Sequence, residues 1–348
     1  MGAIKYCLIG KHQHRTPLSY PTYQQLLPRS LKPVDLESAP DLLVFGYVQD
    51  FYENLPLIRE ARTRNPSVKL AVLSEEPFWD TIWSGDYTLR KAQRVVNGES
   101  LDYYAINHVN SRVYDYEQIP YIVTTEDTFF ARYSFMFKRN AAKQEEEYRR
   151  VWQKASIKSA FFAEKRLDDK FSYRHPESHV EGLCQFRSRL AEAFSRKHPE
   201  GSLLVGRGWV PGAIRQKLPD WHLDKLTMLD GRCRFISALE NTHQPRYVTE
   251  KLFDAFACQG IPLYFASPAH TVNAWLPENA YINLYGLSVE DALSHLTSYV
   301  ESGHTAEAYR QAQSDLARRF SSAETLERER RRVLDEVERE LIKIVEEV

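Results

Sequence analysis

Two consecutive α/β domains built on parallel sheets are the fold that this chain of 348 residues predicts. Three observations carry that prediction. Apolar strand-like runs alternate with helix-length amphipathic stretches, as in parallel sheets covered by helices. The length exceeds one typical core, at roughly 100–200 residues per domain. The strand-like runs also fall into two sets separated by a charged helical stretch. The expected division is an α/β domain over 1–155, a second over 156–320, and a carboxyl-terminal helix over 321–348 that packs on the body.

In the first set, Ile4 to Gly10 reads as a strand, and Asp41 to Gly46 is a continuous apolar run of the kind buried on both faces. Val68 to Leu73 is a third strand, followed at once by Ser74-Glu75-Glu76-Pro77. Tyr103 to Ile106 and Tyr121 to Val123 are shorter candidates. A charged helix over Ala141 to Lys154 leads out of this set. The second set comprises Ala160–Ala163, Ser202–Val205, Arg234–Leu239 and Ile261–Phe265, with helices over Gln185–Lys197 and Thr249–Gln259. Gly260 reads as the residue just past the end of the latter helix. Near the end, Ser321-Ser322-Ala323-Glu324 has the form of a capping box, and Val333, Val337, Leu341, Ile344 and Val348 form an apolar stripe that predicts a packing face.

Composition narrows the function. Lys plus Arg (46) nearly equal Asp plus Glu (47), so no basic domain argues for nucleic acid. Cys7, Cys184, Cys233 and Cys258 are far apart and form no CxxC pair, which fits inert thiols in a reducing compartment. No apolar run approaches the ~20 residues that span a bilayer, and the first strand-like run has no cleavage site. The expected location is the cytoplasm, with at most peripheral contact at the inner face of the membrane.

The chemistry concentrates from Glu240 to Lys251, a strand–loop–helix junction carrying Asn241, Arg246, Tyr247, Glu250 and Lys251. Ligands of open parallel sheets bind beyond the carboxyl ends of the strands. A helix amino terminus offers unpaired N–H groups and partial positive charge to an anion, and Lys251 adds a full charge there. A Glu250 that merely complements the helix dipole is the bland alternative. Gly206-Arg207-Gly208 is a glycine turn after a strand, suited to close backbone approach but weak alone. His12, Gln13, His14 and Arg15 follow the first strand. His12 and His14 fit acceptor contact better than a metal, since no third ligand is evident.

The segments Phe235 to Thr242, Tyr247 to Leu252 and Ile261 to Pro268 together resemble the α1,3/α1,4-fucosyltransferases of glycosyltransferase family 10, of the bacterial soluble type. The resemblance implies the GT-B architecture, two Rossmann-like domains facing a central cleft, and inverting transfer of L-fucose from GDP-fucose to a glycan or glycolipid hydroxyl in surface polysaccharide or lipopolysaccharide synthesis. It implies that Lys251, Asn241, Arg246 and Tyr247 hold the GDP-sugar, with Glu250 facing the fucose. It also implies a phosphate-gripping arginine, matched best by Arg187 and next by Arg189. An inverting transfer needs a base for the acceptor hydroxyl. The resemblance places it at Glu75, with Glu76 as the rival, and Phe78 and Trp79 beside it as stacking surfaces for the acceptor. No Asp-x-Asp motif demands a divalent cation, so no metal cofactor is expected. Arg246 and Ala266 depart from the family pattern. They keep open a transferase for another GDP-linked deoxy sugar, or a homologue that binds nucleotide sugar or glycan without turnover.

Overall fold

The computed structural model describes residues 2–85, 87–210, 218–299 and 303–347. Its chain divides into two compact units, residues 1–127 with 324–348, and residues 128–323.

Unit 1 is a six-stranded sheet in the order β2-β1-β3-β4-β6-β5. Its strands are β1 (Ile4–Leu8), β2 (Leu31–Pro33), β3 (Leu42–Phe45), β4 (Lys69–Leu73), β5 (Lys91–Val96) and β6 (Glu99–Ile106). All neighbours are parallel except the β5–β6 hairpin. All four residues of β3 are buried, as its continuous apolar run requires of a strand covered on both faces. Its helices are α1 (Pro21–Gln24), α2 (Asp50–Arg64), α3 (Pro77–Trp83) and α4 (Tyr121–Thr124). The candidate strand at Tyr121 to Val123 is therefore α4: β-branched propensity yields to the tertiary setting, which buries Tyr121, Val123 and Thr124.

Unit 2 opens with α5 (Asp127–Ala141) and α6 (Glu145–Lys154), where the sequence predicts one helix from Ala141 to Lys154. The Glu147 carboxylate accepts from the Gln144 N–H at 2.9 Å, and this local cap starts α6 as a separate element. The division at 127/128, rather than 155/156, follows from packing: Tyr133 and Phe137 of α5 and Tyr148 and Trp152 of α6 are buried against unit 2 rings at Phe253, Phe320 and Tyr309.

A parallel five-stranded sheet follows in the order β10-β7-β11-β13-β14, built from β7 (Ile157–Phe162), β10 (Ser202–Val205), β11 (Cys233–Ser237), β13 (Ile261–Tyr264) and β14 (Ile282–Asn283). A small antiparallel sheet joins β8 (Arg174–His175), β9 (Val180–Gly182) and β12 (Thr242–His243). The helices are α7 (Cys184–Lys197), α8 (Trp221–Leu229), α9 (Glu250–Ala257), α10 (Val289–Ser298) and α11 (Gly303–Arg319). Past the end of α9 the left-handed residue is Gln259 (φ 63°), not Gly260. Gly260 sits one place further, donating its N–H to the Ala255 carbonyl at 3.1 Å in a Schellman closure. Glycine is needed there for another reason: a Cβ would meet the Ile236 side chain at 2.6 Å.

The last helix, α12 (Ala323–Glu346), returns to unit 1. Val333, Val337, Leu341 and Ile344 of the predicted stripe join a core with Ile4, Tyr6, Leu42 and Val44, while Val348 lies outside the described residues. All four cysteines are buried. Among the described residues no helix is long and apolar enough to cross a membrane.

Candidate active site

The unit 2 cluster begins where β11 ends. Glu240 turns inward and is buried. Its carboxylate accepts the Thr249 N–H at 2.9 Å and the Thr249 hydroxyl at 2.8 Å, which fixes the N-cap of α9. Lys251 Nζ lies 3.0 Å from Glu240, 2.8 Å from the Thr249 hydroxyl and 3.4 Å from Glu250. Burial works against the Lys251 charge, but Glu240 and Glu250 outweigh it and lift its pKa above the ordinary value. Burial also raises the Glu240 pKa, with Lys251 pulling the other way. An ion pair held by three oxygen contacts keeps its ammonium charged and oriented.

Arg187 shares this neighbourhood, since its charge opposes protonation of Lys251. It is buried on α7 and donates to the Leu239 carbonyl at 3.3 Å. The Asn241 carbonyl accepts the Leu183 N–H at 2.9 Å, tying the start of α7 to the same loop. Two cations thus sit beside the amino terminus of a helix, an arrangement suited to phosphate oxygens. Arg246 is half-buried, and Tyr247 is buried at the same junction. A second buried cluster supports α9 from behind. Asp254 accepts from His222 at 2.7 Å, Lys225 at 2.7 Å and the Tyr133 hydroxyl at 2.6 Å, and that hydroxyl also lies 3.2 Å from the Glu250 carbonyl. The glycines at 206 and 208 serve packing here: a Cβ on Gly206, whose φ is 134°, would strike the Ala163 carbonyl oxygen at 2.4 Å.

In unit 1, Glu75 follows β4 and its side chain is 0% exposed. Arg15 Nε lies 2.5 Å from it, the Tyr20 hydroxyl 3.1 Å from both oxygens, and the Tyr121 hydroxyl donates at 2.8 Å. Burial raises the Glu75 pKa first, Arg15 opposes the rise, and Glu76 adds to it. Glu76, at 18% exposed, pairs with the other end of the same guanidinium. Asp80 lies beneath, its pKa pushed up to about 7 by burial.

Trp79 stacks on Trp83 with ring centroids 4.1 Å apart, and both are half-buried. Phe78 is 1% exposed and has no face to offer a sugar: the first turn of α3 sends it into the core, and Trp79 covers it at 4.7 Å. His12 is held by Asp50 at 2.7 Å and packs near Trp83, whereas exposed His14 is directed to the Lys11 carbonyl at 3.1 Å. The two histidines therefore do not act as one group. Sequence reasoning passed over Arg15, Tyr20 and Tyr121 as partners of Glu75. Only the position of Arg15 just after a strand hinted at it, because the contacts span 46 to 60 residues of chain.

Residues 212–329 match the model described as glycosyltransferase family 10 (fucosyltransferase), C-terminal. The class this defines is a glycosyltransferase. Within the class, the chain resembles glycosyltransferase family 10, the family to which the motif segments at Glu240 to Lys251 point. No curated protein sequence matches the chain. Among solved structures, an α1,3-fucosyltransferase with GDP-fucose is similar at 14% identity and TM-score 0.42, covering 91% of this chain and 81% of that one. An α1,3-fucosyltransferase with GDP is similar at 12% identity and TM-score 0.44, covering 96% and 91%.

Proposed function

We propose that the chain is an inverting GT-B transferase that moves L-fucose from GDP-fucose to a glycan or glycolipid hydroxyl. The observation that carries this reading is the buried Lys251–Glu240–Glu250 cluster beside Arg187 at the start of α9, inside the segment that matches the family model. In this reading Lys251 and Arg187 hold the diphosphate, and Asn241, Arg246 and Tyr247 line the nucleotide sugar. The Lys251–Glu250 contact is the longest of the ammonium's three, so phosphate takes its place first and leaves Glu250 to face the sugar.

Chemically, the acceptor hydroxyl gives its proton to Glu75 while its oxygen attacks the anomeric carbon. The bond from that carbon to phosphate breaks, and GDP leaves with the electron pair. Glu250 stabilises positive charge on the ring in an oxocarbenium-like transition state, and Lys251 and Arg187 stabilise the charge developing on GDP. No step in this account calls for a metal. Trp79, His12 and His14 are assigned to acceptor contact. The proposed setting is surface polysaccharide or lipopolysaccharide synthesis at the cytoplasmic side, with at most peripheral membrane contact.

The greater exposure of Glu76 favours a second reading in which Glu76 is the base. Separate Glu75→Gln and Glu76→Gln variants decide between them by GDP release from GDP-fucose. The base variant is expected to lose turnover by on the order of 10²–10⁴-fold while donor affinity, read by calorimetry, stays within about twofold. Full turnover in both variants would remove the carboxylate base from the mechanism.

A further inference from the structure

Arg15 has no part in the donor cluster, yet it is the cation that touches both candidate bases. Nε meets Glu75 at 2.5 Å, and Nη2 meets Glu76. The groups around the pair come from every side. Tyr20 approaches from the loop before α1 and Tyr121 from α4, both as hydroxyl donors to Glu75. His108, after β6, directs Nε2 to the Glu75 carbonyl at 3.0 Å, with Tyr114 stacked on its ring at 4.4 Å. The Tyr47 hydroxyl is buried nearby, and Asp80 adds a third carboxyl to the set. The tyrosines are neutral donors at physiological pH, so they stabilise an ionised carboxylate without balancing its charge. Two carboxyl groups therefore share one guanidinium, with Asp80 acting on Glu76 beside them, and that guanidinium is the cation in direct contact with the adjacent pair.

We propose that Arg15 is a positioning residue that holds the Glu75 and Glu76 carboxyl groups side by side on one guanidinium, so that a base is available to the acceptor hydroxyl. This rests on the reading that one of the two is the base. Removing the guanidinium takes away the main charge that opposes burial at Glu75 and leaves only the Tyr20 and Tyr121 hydroxyls against burial and the adjacent Glu76, so the protonated Glu75 carboxyl is favoured. The pH below which the base is lost then moves up. A purely structural role for Arg15 would lower turnover evenly at all pH values.

The test titrates the carboxyl groups by infrared difference spectroscopy in the wild type and in Arg15→Met and Arg15→Lys, with Glu75→Gln and Glu76→Gln assigning the bands. GDP release from GDP-fucose is followed over the same pH range. Arg15→Met is expected to move the protonation midpoint of the assigned carboxyl up by about one pH unit or more. The acid limb of GDP release should move with it, with GDP affinity unchanged, and Arg15→Lys should restore part of the shift. An unmoved midpoint in folded Arg15→Met protein overturns the proposal, as does an Arg15→Lys midpoint displaced as far as that of Arg15→Met. A moved midpoint alongside full turnover in both glutamine variants supports the Arg15 assignment and overturns only the base reading.

Discussion

Burying a carboxylate costs several kcal/mol unless donors or a cation replace its water, and both candidate sites meet that cost locally. Glu240 has the Thr249 N–H and hydroxyl and Lys251, and Glu75 has Arg15, Tyr20 and Tyr121. Lys251→Ala should remove a charge-assisted contact to the donor diphosphate. Calorimetric GDP-fucose binding is expected to weaken by about 2–3 kcal/mol, on the order of a hundredfold in Kd. Asp80 gives a pH prediction. Its folded pKa of about 7 lies above its ordinary value, so its contribution to stability is complete under acid conditions, below the unfolded pKa. That contribution is lost as pH rises through about 7. Asp80→Asn stays neutral throughout, so relative to the wild type it should gain about 2–3 kcal/mol between pH 5 and pH 8, read from urea unfolding at both values. An unchanged difference between the two pH values would show that Asp80 is not held protonated in the fold.

Two helices place these residues. The N-cap of α9 is locked by Glu240 from one side, and its body is anchored by Asp254 with His222, Lys225 and Tyr133. Arg132 Nη1 lies 3.0 Å from His222 Nδ1. Arginine can only donate, so that nitrogen accepts and the proton sits on Nε2, facing Asp254. In unit 1, α12 is latched by one carboxylate: Glu329 Oε1 accepts the N–H groups of Glu117, Gln118 and Ile119 at 3.0, 2.5 and 3.2 Å. Glu329→Ala takes the acceptor from those donors, of which the Ile119 N–H is buried, and should lower unfolding free energy by about 1–3 kcal/mol, whereas Glu329→Gln, which keeps an acceptor oxygen, should lose less than half of that. Chemical denaturation of the three proteins makes the comparison, and equal losses would mean that packing rather than the latch holds α12.

At the scale of the molecule, the parallel strands were legible because strands buried on both faces become continuous apolar runs, as in Leu42–Phe45 and Ile261–Tyr264. The edge strand β5 was not, because Lys91–Val96 mixes exposed charge with buried positions and pairs antiparallel with β6. Tyr121–Thr124 misled for the opposite reason, since its strand-forming residues are placed in a helix by contacts far along the chain. The donor cluster could be read from sequence because its residues lie within one short segment. The surroundings of Glu75 could not, being assembled from the loops after β1, β4 and β6 and from α4. Burial, too, was invisible, and so Phe78 passed for a stacking surface.

The central claim is that Lys251 and its neighbours hold a GDP-sugar whose sugar is fucose, and GDP release measured across a panel of GDP-sugars tests it most directly. The account predicts fastest release from GDP-fucose by the wild type and a large loss in Lys251→Ala at the same donor concentration. Stronger release from another GDP-sugar would contradict the donor assignment, and undiminished release by Lys251→Ala would contradict the site.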